Sequence, residues 1–201
     1  MTEPRKEAPL GCNGIDRMLT RSLIPGIEYV PGYLDQETHD RLLFAVDQHA
    51  WQTSVEHRVQ VYGYRYNHTA RAAYRIGELP PWATALAARL HHDTFVPTIP
   101  NQLVVNEYQP GIGIFDHVDQ DVFGDVVISV SLGSTSVMRF TRTEPDESRE
   151  LLLEPKSVLV LTKDARWLWK HGIPGRVSDL WNGREYVRSR RVSLTFRTVC
   201  L

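Results

Sequence analysis

The residues of this 201-residue chain whose types and order could do chemistry are few: His117-Val118-Asp119, a distant His171, and Arg191 and Arg197 with Val-Ser-Leu-Thr-Phe between them. On a strand, residues two apart point the same way, so His117 and Asp119 can reach one metal ion, with His171 supplying a third ligand from elsewhere in the fold. Two histidines and one carboxylate that leave positions open are a ligand set suited to Fe(II) and dioxygen chemistry. The arginines suggest what occupies part of those positions. A permanently charged planar guanidinium binds a carboxylate through two parallel hydrogen bonds, which suits an acidic co-substrate such as 2-oxoglutarate.

Alternation sharpens the reading of the last strand. Arg191, Ser193, Thr195 and Arg197 fall on one side, and Val192, Leu194 and Phe196 on the other. The polar side can line a cavity while the apolar side packs against helices. Taken alone, the segment also suits a half-buried strand with solvated arginines; the upstream ligands favour the cavity. Six residues of ideal strand separate the two arginines by about 20 Å, so one small dianion can meet both only if their side chains converge or the strand bends.

In this order the residues resemble the AlkB-like branch of the Fe(II)/2-oxoglutarate dioxygenases. Asn106-Glu107-Tyr108 matches the family's Asn-x-Tyr strand, Gly111 to Asp119 its Gly-rich approach to His-x-Asp, Ser131-Leu132-Gly133 the following strand, and His171-Gly172-Ile173 the distal histidine. The terminal Arg-x-x-x-x-x-Arg is its most diagnostic element. The likeness covers about residues 20 to 199 and is strongest from Asn101 onward.

The resemblance implies Fe(II) held by His117, Asp119 and His171, with 2-oxoglutarate and O2 as co-substrates. It places Asn106, Tyr108, Arg191, Ser193 and Arg197 around 2-oxoglutarate, with Ser193 standing where many relatives carry Asn. Which arginine meets which carboxylate stays open. Asp121 matches a residue that contacts the substrate base in some relatives and is carried as a catalytic and substrate-binding candidate, although it reads equally well as one more acid in an acidic loop.

Composition bounds the rest. Hydrophobic residues make up 42% and charged residues 23%, ordinary values for a globular protein able to bury a core. No run of eighteen apolar residues appears, so the reading is a soluble, cytoplasmic chain with no membrane partner. No obligate protein partner is inferred. Cys12 and Cys200 lie near opposite ends, which argues against a disulfide framework or a zinc site. The net charge of −1 hides an asymmetry: residues 1–138 carry 10 Lys and Arg against 16 Asp and Glu, and residues 139–201 carry 13 against 8. The whole chain is not a basic nucleic-acid binder, but a local basic face is possible.

Residues 1–20 read as a flexible arm and 21–201 as a single domain. A short strand around Ile24 to Val30 precedes a helix capped by Asp35 and running to about His49, with Leu42, Leu43, Val46 and Phe44 as its apolar stripe. A second helix starts at Pro81 and ends near His92. From Gln102 short strands predominate: 103–108, 126–132, 137–140, 151–153, 158–161 and 191–199. The pattern predicts an α+β domain whose C-terminal part is a double-sheet roll. With the resemblance, this becomes a double-stranded β-helix (jelly-roll) core with flanking N-terminal helices and a nucleotide-recognition lid.

The stretch His57 to Arg75 is the substrate-side clue. It carries Arg58, Arg65, Arg71 and Arg75 without an acid and interleaves Tyr62, Tyr64, Tyr66 and Tyr74. Cations beside flat aromatic faces suit a phosphate backbone with exposed bases. By resemblance Tyr62-Gly63-Tyr64-Arg65-Tyr66 forms the lid, so Tyr62, Tyr64, Arg65 and Tyr66 are substrate-contact candidates; alternating tyrosines also build ordinary hairpins. The tryptophan some relatives carry in this lid has its nearest counterpart in Trp51. The expected activity is oxidative demethylation of an N-alkylated base in single-stranded or flipped-out DNA or RNA. The alternative is hydroxylation of a modified tRNA base, a protein side chain or a metabolite.

Overall fold

Short β-branched runs broken by Gly and Pro dictate most of the architecture, and the computed structural model describes residues 24–53 and 57–200. The arm expected over residues 1–20, and Cys12, lie outside the described residues.

The chain begins with β1 (Ile27–Val30) and α1 (Gln36–Asp47). Asp35 caps α1, its side-chain oxygen accepting from the Thr38 amide. Next come β2 (Gln52–Thr53), β3 (Arg58–Tyr62), β4 (Tyr64–Asn67), β5 (Ala72–Arg75) and α2 (Pro81–His92), which Pro81 opens at its first turn. The strand-dense part follows with β6 (Gln102–Tyr108), β7 (Ile114–His117), a 3-10 turn at Asp121–Phe123, β8 (Val127–Gly133), β9 (Ser136–Arg142), β10 (Glu147–Leu153) and β11 (Val158–Leu161). Then α3 (Lys163–Trp167), β12 (Lys170–Ile173), β13 (Ser178–Trp181), β14 (Arg184–Val187) and β15 (Arg191–Arg197) complete it.

A seven-stranded sheet in the order β1-β11-β8-β15-β6-β3-β2 faces a four-stranded sheet in the order β10-β9-β12-β7. Together they form the jelly roll. The major sheet sorts its side chains by alternation. Leu103, Val105, Ile128, Val130, Leu132, Val192, Leu194 and Phe196 pack outward against Leu42 and Val46 of α1 and Ala83, Leu86, Ala87 and Leu90 of α2. A second cluster, with Val127, Leu159 and Leu161 from the major sheet and Met138, Phe140 and Ile173 from the minor one, glues the sheets together. Tyr108, Arg191, Ser193 and Arg197 are left facing the space between them.

The two helices and the six strands expected from Gln102 onward therefore lie close to where sequence places them, whereas β13 and β14 have no counterpart in that expectation. The first strand starts at Ile27 because Pro25-Gly26 turns the chain, Gly26 taking a φ of 93°. Phe44 is 68% exposed and does not belong to the α1 stripe, which Leu42 and Val46 form. Strands β7 and β12, which flank the candidate ligands, are too short and too polar to announce themselves.

Candidate metal centre and substrate cavity

The two histidines meet because their strands pair. His117 on β7 lies directly across from His171 on β12, with ring centroids 4.6 Å apart. The pairing is irregular: Ile114 to His117 on β7 faces only His171 to Ile173 on β12, so β7 carries one extra residue. This bulge lets Ile114 and His117, three apart, line the same chamber.

Asp119 reaches the site by another route than the one expected. Strand β7 ends at His117, and Asp119 comes from the loop beyond it. Strict alternation along one strand is thus not what brings the pair together. Arg166 of α3, 2% exposed, fixes that loop: its guanidinium donates to the Asp119 carbonyl at 2.9 Å, the Gln120 carbonyl at 2.7 Å and the Gly124 carbonyl at 2.9 Å. Sequence reasoning missed Arg166, which stands five residues before His171 with no signal beyond being a charge in a short helix.

Gly172 explains itself by crowding. A Cβ there would lie 2.4 Å from the Asp116 carboxylate and 2.8 Å from the Ile114 carbonyl. Asp116 passes over Gly172 to accept from Arg139 and Thr141 on β9, tying edge strand β7 across β12. That strap holds His117 opposite His171.

The ligand atoms of His117, Asp119 and His171 all lie within 4.8 Å of one another. His117 Nδ1 donates to the Phe115 carbonyl at 2.8 Å, which leaves Nε2 free as a ligand. Asp119 accepts from Arg197 through Oδ1, while its Oδ2 is buried without a hydrogen-bond partner and faces His171 Nε2 at 3.4 Å. An orphaned carboxylate oxygen between two imidazoles is what a divalent cation would satisfy. Burial alone would raise the Asp119 carboxyl, but Arg197, then His171, His117 and Arg166, outweigh it and hold the group well below the usual carboxylate range. Burial pushes His171 down to about 4, against the pull of Asp119, so its imidazole is neutral and ready to bind metal at physiological pH.

Beyond the triad, a small inner chamber between the sheets is lined by Tyr108, Ser129, Leu159, Arg191, Ser193 and Arg197 among others. Both arginines line this chamber. Arg191 is 2% exposed and spends one donor on Ser131 Oγ, while its Nε and one terminal nitrogen are buried without partners. Burial lowers its pKa, and no carboxylate offsets its charge among the chamber's described residues. A buried cation with idle donors fits a carboxylate ligand. Arg197, by contrast, is already paired with Asp119. Burial pushes Tyr108 up to about 12, so it stays a hydroxyl donor. Ser193 Oγ bonds Ser129 Oγ at 2.8 Å. Asn106, two residues before Tyr108 on β6, is not among the chamber's lining residues; its Oδ1 is 3.0 Å from His57 Nε2, and His57 in turn stacks on Tyr108. His57 is the second neighbour that sequence did not single out.

An outer cavity of about 440 Å³ opens from the metal ligands toward solvent, with Arg65, Tyr66, His68, Phe115, Gln120 and Phe123 around it. The stretch expected to act as one substrate-binding unit divides at Gly63, whose φ of 76° turns the chain out of the major sheet. Arg65 and Tyr66, on the separate β4–β5 hairpin, line the cavity. Tyr62 turns the other way: its ring packs edge-on to His49 and Trp82, and its hydroxyl donates to Gln60. Tyr64 is not among the lining residues, and neither is Asp121, which is exposed in the 3-10 turn with its Oδ1 accepting from the Val122 amide. Arg58 is held by Glu107 through two bonds of 2.5 and 2.7 Å, and Arg75 pairs with Glu78, so neither is a free phosphate contact. Trp51 stacks under Arg58 rather than at the cavity.

Among the described residues, no helix is long and apolar enough to cross a membrane. The sequence profile of the 2OG-Fe(II) oxygenase superfamily matches residues 37–197. A mimivirus protein, L905 of Acanthamoeba polyphaga mimivirus, is 33% identical over 87% of this chain and 85% of its own length. An Arabidopsis thaliana protein called alkylated DNA repair protein ALKBH8 homolog is 32% identical over 88% of this chain, which spans 59% of that protein. Among solved structures, OsALKBH1 superposes with a TM-score of 0.66 at 18% identity, covering 88% of this chain and 99% of that one.

Proposed function

Because the chain belongs to the AlkB-like branch of the 2OG-Fe(II) oxygenase superfamily, and is thereby a dioxygenase using Fe(II), 2-oxoglutarate and O2, we propose that it oxidises an alkyl group on a nucleic-acid base. Where that group is an N-methyl, the hydroxymethyl product loses formaldehyde and leaves the free amine. The observation that carries this reading is the outer cavity: about 440 Å³, aromatic at its rim and floored by His117 and Asp119, whose ligand atoms cluster with that of His171. A planar base fits such a space, and one buried in a duplex stack cannot enter it, so the substrate is a single strand or a flipped nucleotide. A relative named for alkylated-DNA repair supports the same reading.

The residues divide the work. His117, Asp119 and His171 would hold iron, and Arg166 would keep the Asp119 loop in place. Arg191 would take the far carboxylate of 2-oxoglutarate, assisted by the Tyr108 hydroxyl, because two of its donors are idle and no acid among the described residues pairs with it, whereas Arg197 has one idle nitrogen and is paired with Asp119. Arg197 orients Asp119 instead and closes the ring of charge around the ligands. Ile114, Val104 and Phe123 keep water away from the reacting carbon. Iron and 2-oxoglutarate, when bound, would let O2 oxidise the substrate, one oxygen atom going to the substrate and the other to succinate as CO2 leaves. The β4–β5 hairpin, through Arg65 and Tyr66, is the candidate lid.

Purified protein with Fe(II), 2-oxoglutarate and ascorbate, incubated with methylated oligonucleotides and read by mass spectrometry, tests the proposal. The expected result is conversion of N-methyl to N–H with matching succinate. Succinate formed with a peptide or metabolite, and with no oligonucleotide, would overturn it.

A further inference from the structure

Charge around the outer cavity is lopsided. Asp119 is the one carboxylate among its described lining residues, and it is committed inward: it pairs with Arg197, faces the two histidines, and its side chain is 4% exposed. Asp121, the acid that sequence places nearest, is outside the lining. At the rim Arg65 donates to Gln52 Oε1 at 2.8 Å, an uncharged amide, and no acid among the described residues pairs with its guanidinium. The remaining polar lining groups, Gln102, Gln120 and His68, add donors without adding an acid. Iron and a 2-oxoglutarate dianion offset one another, and Arg191 behind them adds a further positive charge.

We infer that this cavity selects a modified base that is neutral or anionic over the cationic ring-methylated bases, with Arg65 setting the preference; the inference rests on the nucleic-acid reading above. A base methylated on a ring nitrogen so that it carries a fixed positive charge enters a pocket that has cations and no free carboxylate to meet it. Aromatic faces attract cations and work in the opposite direction. Here that attraction is mostly spent: Phe123 already carries the Arg197 guanidinium, 4.8 Å from its ring centroid, and Phe115 is 77% exposed to water. Tyr66 is left as a rim ring that can stack, and stacking accepts a base of any charge. An anionic substituent gains what the cation loses, since Arg65 offers a charge-assisted hydrogen bond.

The test uses the full chain loaded with Fe(II) and 2-oxoglutarate under anaerobic conditions, so that binding is read without turnover. One single-stranded oligonucleotide is prepared with 3-methylcytosine, with the near-isosteric neutral 3-methyluracil, or with anionic 5-carboxyuracil at its centre, and fluorescence anisotropy gives each Kd. The neutral and anionic bases are expected to bind at least about tenfold more tightly than the cation, a difference of the size one unscreened charge contact supplies. Arg65→Gln narrows the gap, and Arg65→Glu reverses the order. Equal or tighter binding of 3-methylcytosine by the wild type, or an order unchanged in Arg65→Glu, overturns the charge inference while leaving the nucleic-acid reading intact. If none of the three oligonucleotides binds, the nucleic-acid reading itself is wrong and this inference falls with it.

Discussion

The metal end and the substrate end of the same cavity are built by opposite means. At the metal end, each side chain is over-determined: His117 and His171 sit on paired strands, Asp119 is gripped by Arg197, and its loop is held by three bonds from Arg166. At the substrate end, Arg65 and Tyr66 stand on a two-stranded hairpin outside both large sheets, and Phe115 is exposed. Rigidity belongs where ligand spacing is fixed by chemistry, and adaptability where a partner must enter and leave.

That contrast breaks first at Asp119. Asp119→Ala removes a metal ligand and leaves Arg197 buried without its partner, so iron binding should vanish and the fold should lose about 3–5 kcal/mol in a denaturant titration. A variant of wild-type stability would mean that the pair is not buried as described. Next in size, Arg191→Ala should weaken 2-oxoglutarate binding by about 2–5 kcal/mol, with Arg191→Lys recovering only part of it, because lysine keeps the charge and loses the fork. Calorimetric titration of the iron-loaded protein measures both. Arg166→Met should lower iron affinity by roughly 10- to 100-fold without touching a ligand, since it releases the loop that carries Asp119. Unchanged affinity would make the Arg166 clamp a packing feature.

Acid separates the two ends as well. In the metal-free protein His171 falls from its ordinary 6.5 to about 4, so the native state takes up this proton later than the unfolded chain does. Its contribution to stability is therefore fully present above about pH 6.5 and lost as pH falls toward 4. Thermal melts of wild type and His171→Asn across that window should converge at the acid end. A wild-type slope no steeper than the variant's would refute the assignment.

The smallest effects sharpen the substrate end. Tyr66→Ala should weaken oligonucleotide binding by about 1–3 kcal/mol, the worth of one stacked base, while Tyr62→Phe should leave binding alone and cost about 1 kcal/mol of stability through the lost bond to Gln60. The reverse result would put Tyr62 in the cavity.

How far the sequence could be read follows the same division. The clustering of His117, Asp119 and His171 and the shared face of Arg191 and Arg197 are legible because a metal centre restricts residue type and because β15 obeys alternation from Arg191 to Arg197. The helices were legible through Asp35 and Pro81. Asp119 joins the two histidines by a route that alternation does not describe, since the β7 bulge and the end of that strand lie outside any period-two rule. The four substrate-side candidates, Tyr62, Tyr64, Arg65 and Tyr66, could not be sorted from sequence. The turn at Gly63 and the helices behind β3 send Tyr62 to the core and Tyr66 to the cavity. Arg58 is neutralised by Glu107, forty-nine positions away along the chain, a pairing that no local pattern reveals.

One measurement tests the site most directly: anaerobic addition of Fe(II) and 2-oxoglutarate, followed by the visible metal-to-ligand charge-transfer band that forms when the co-substrate chelates iron. Wild type should develop the band at stoichiometric iron. His171→Ala should show none, and Arg191→Ala should reach it only at much higher 2-oxoglutarate. A band of wild-type intensity and iron affinity in His171→Ala would contradict the three-ligand centre.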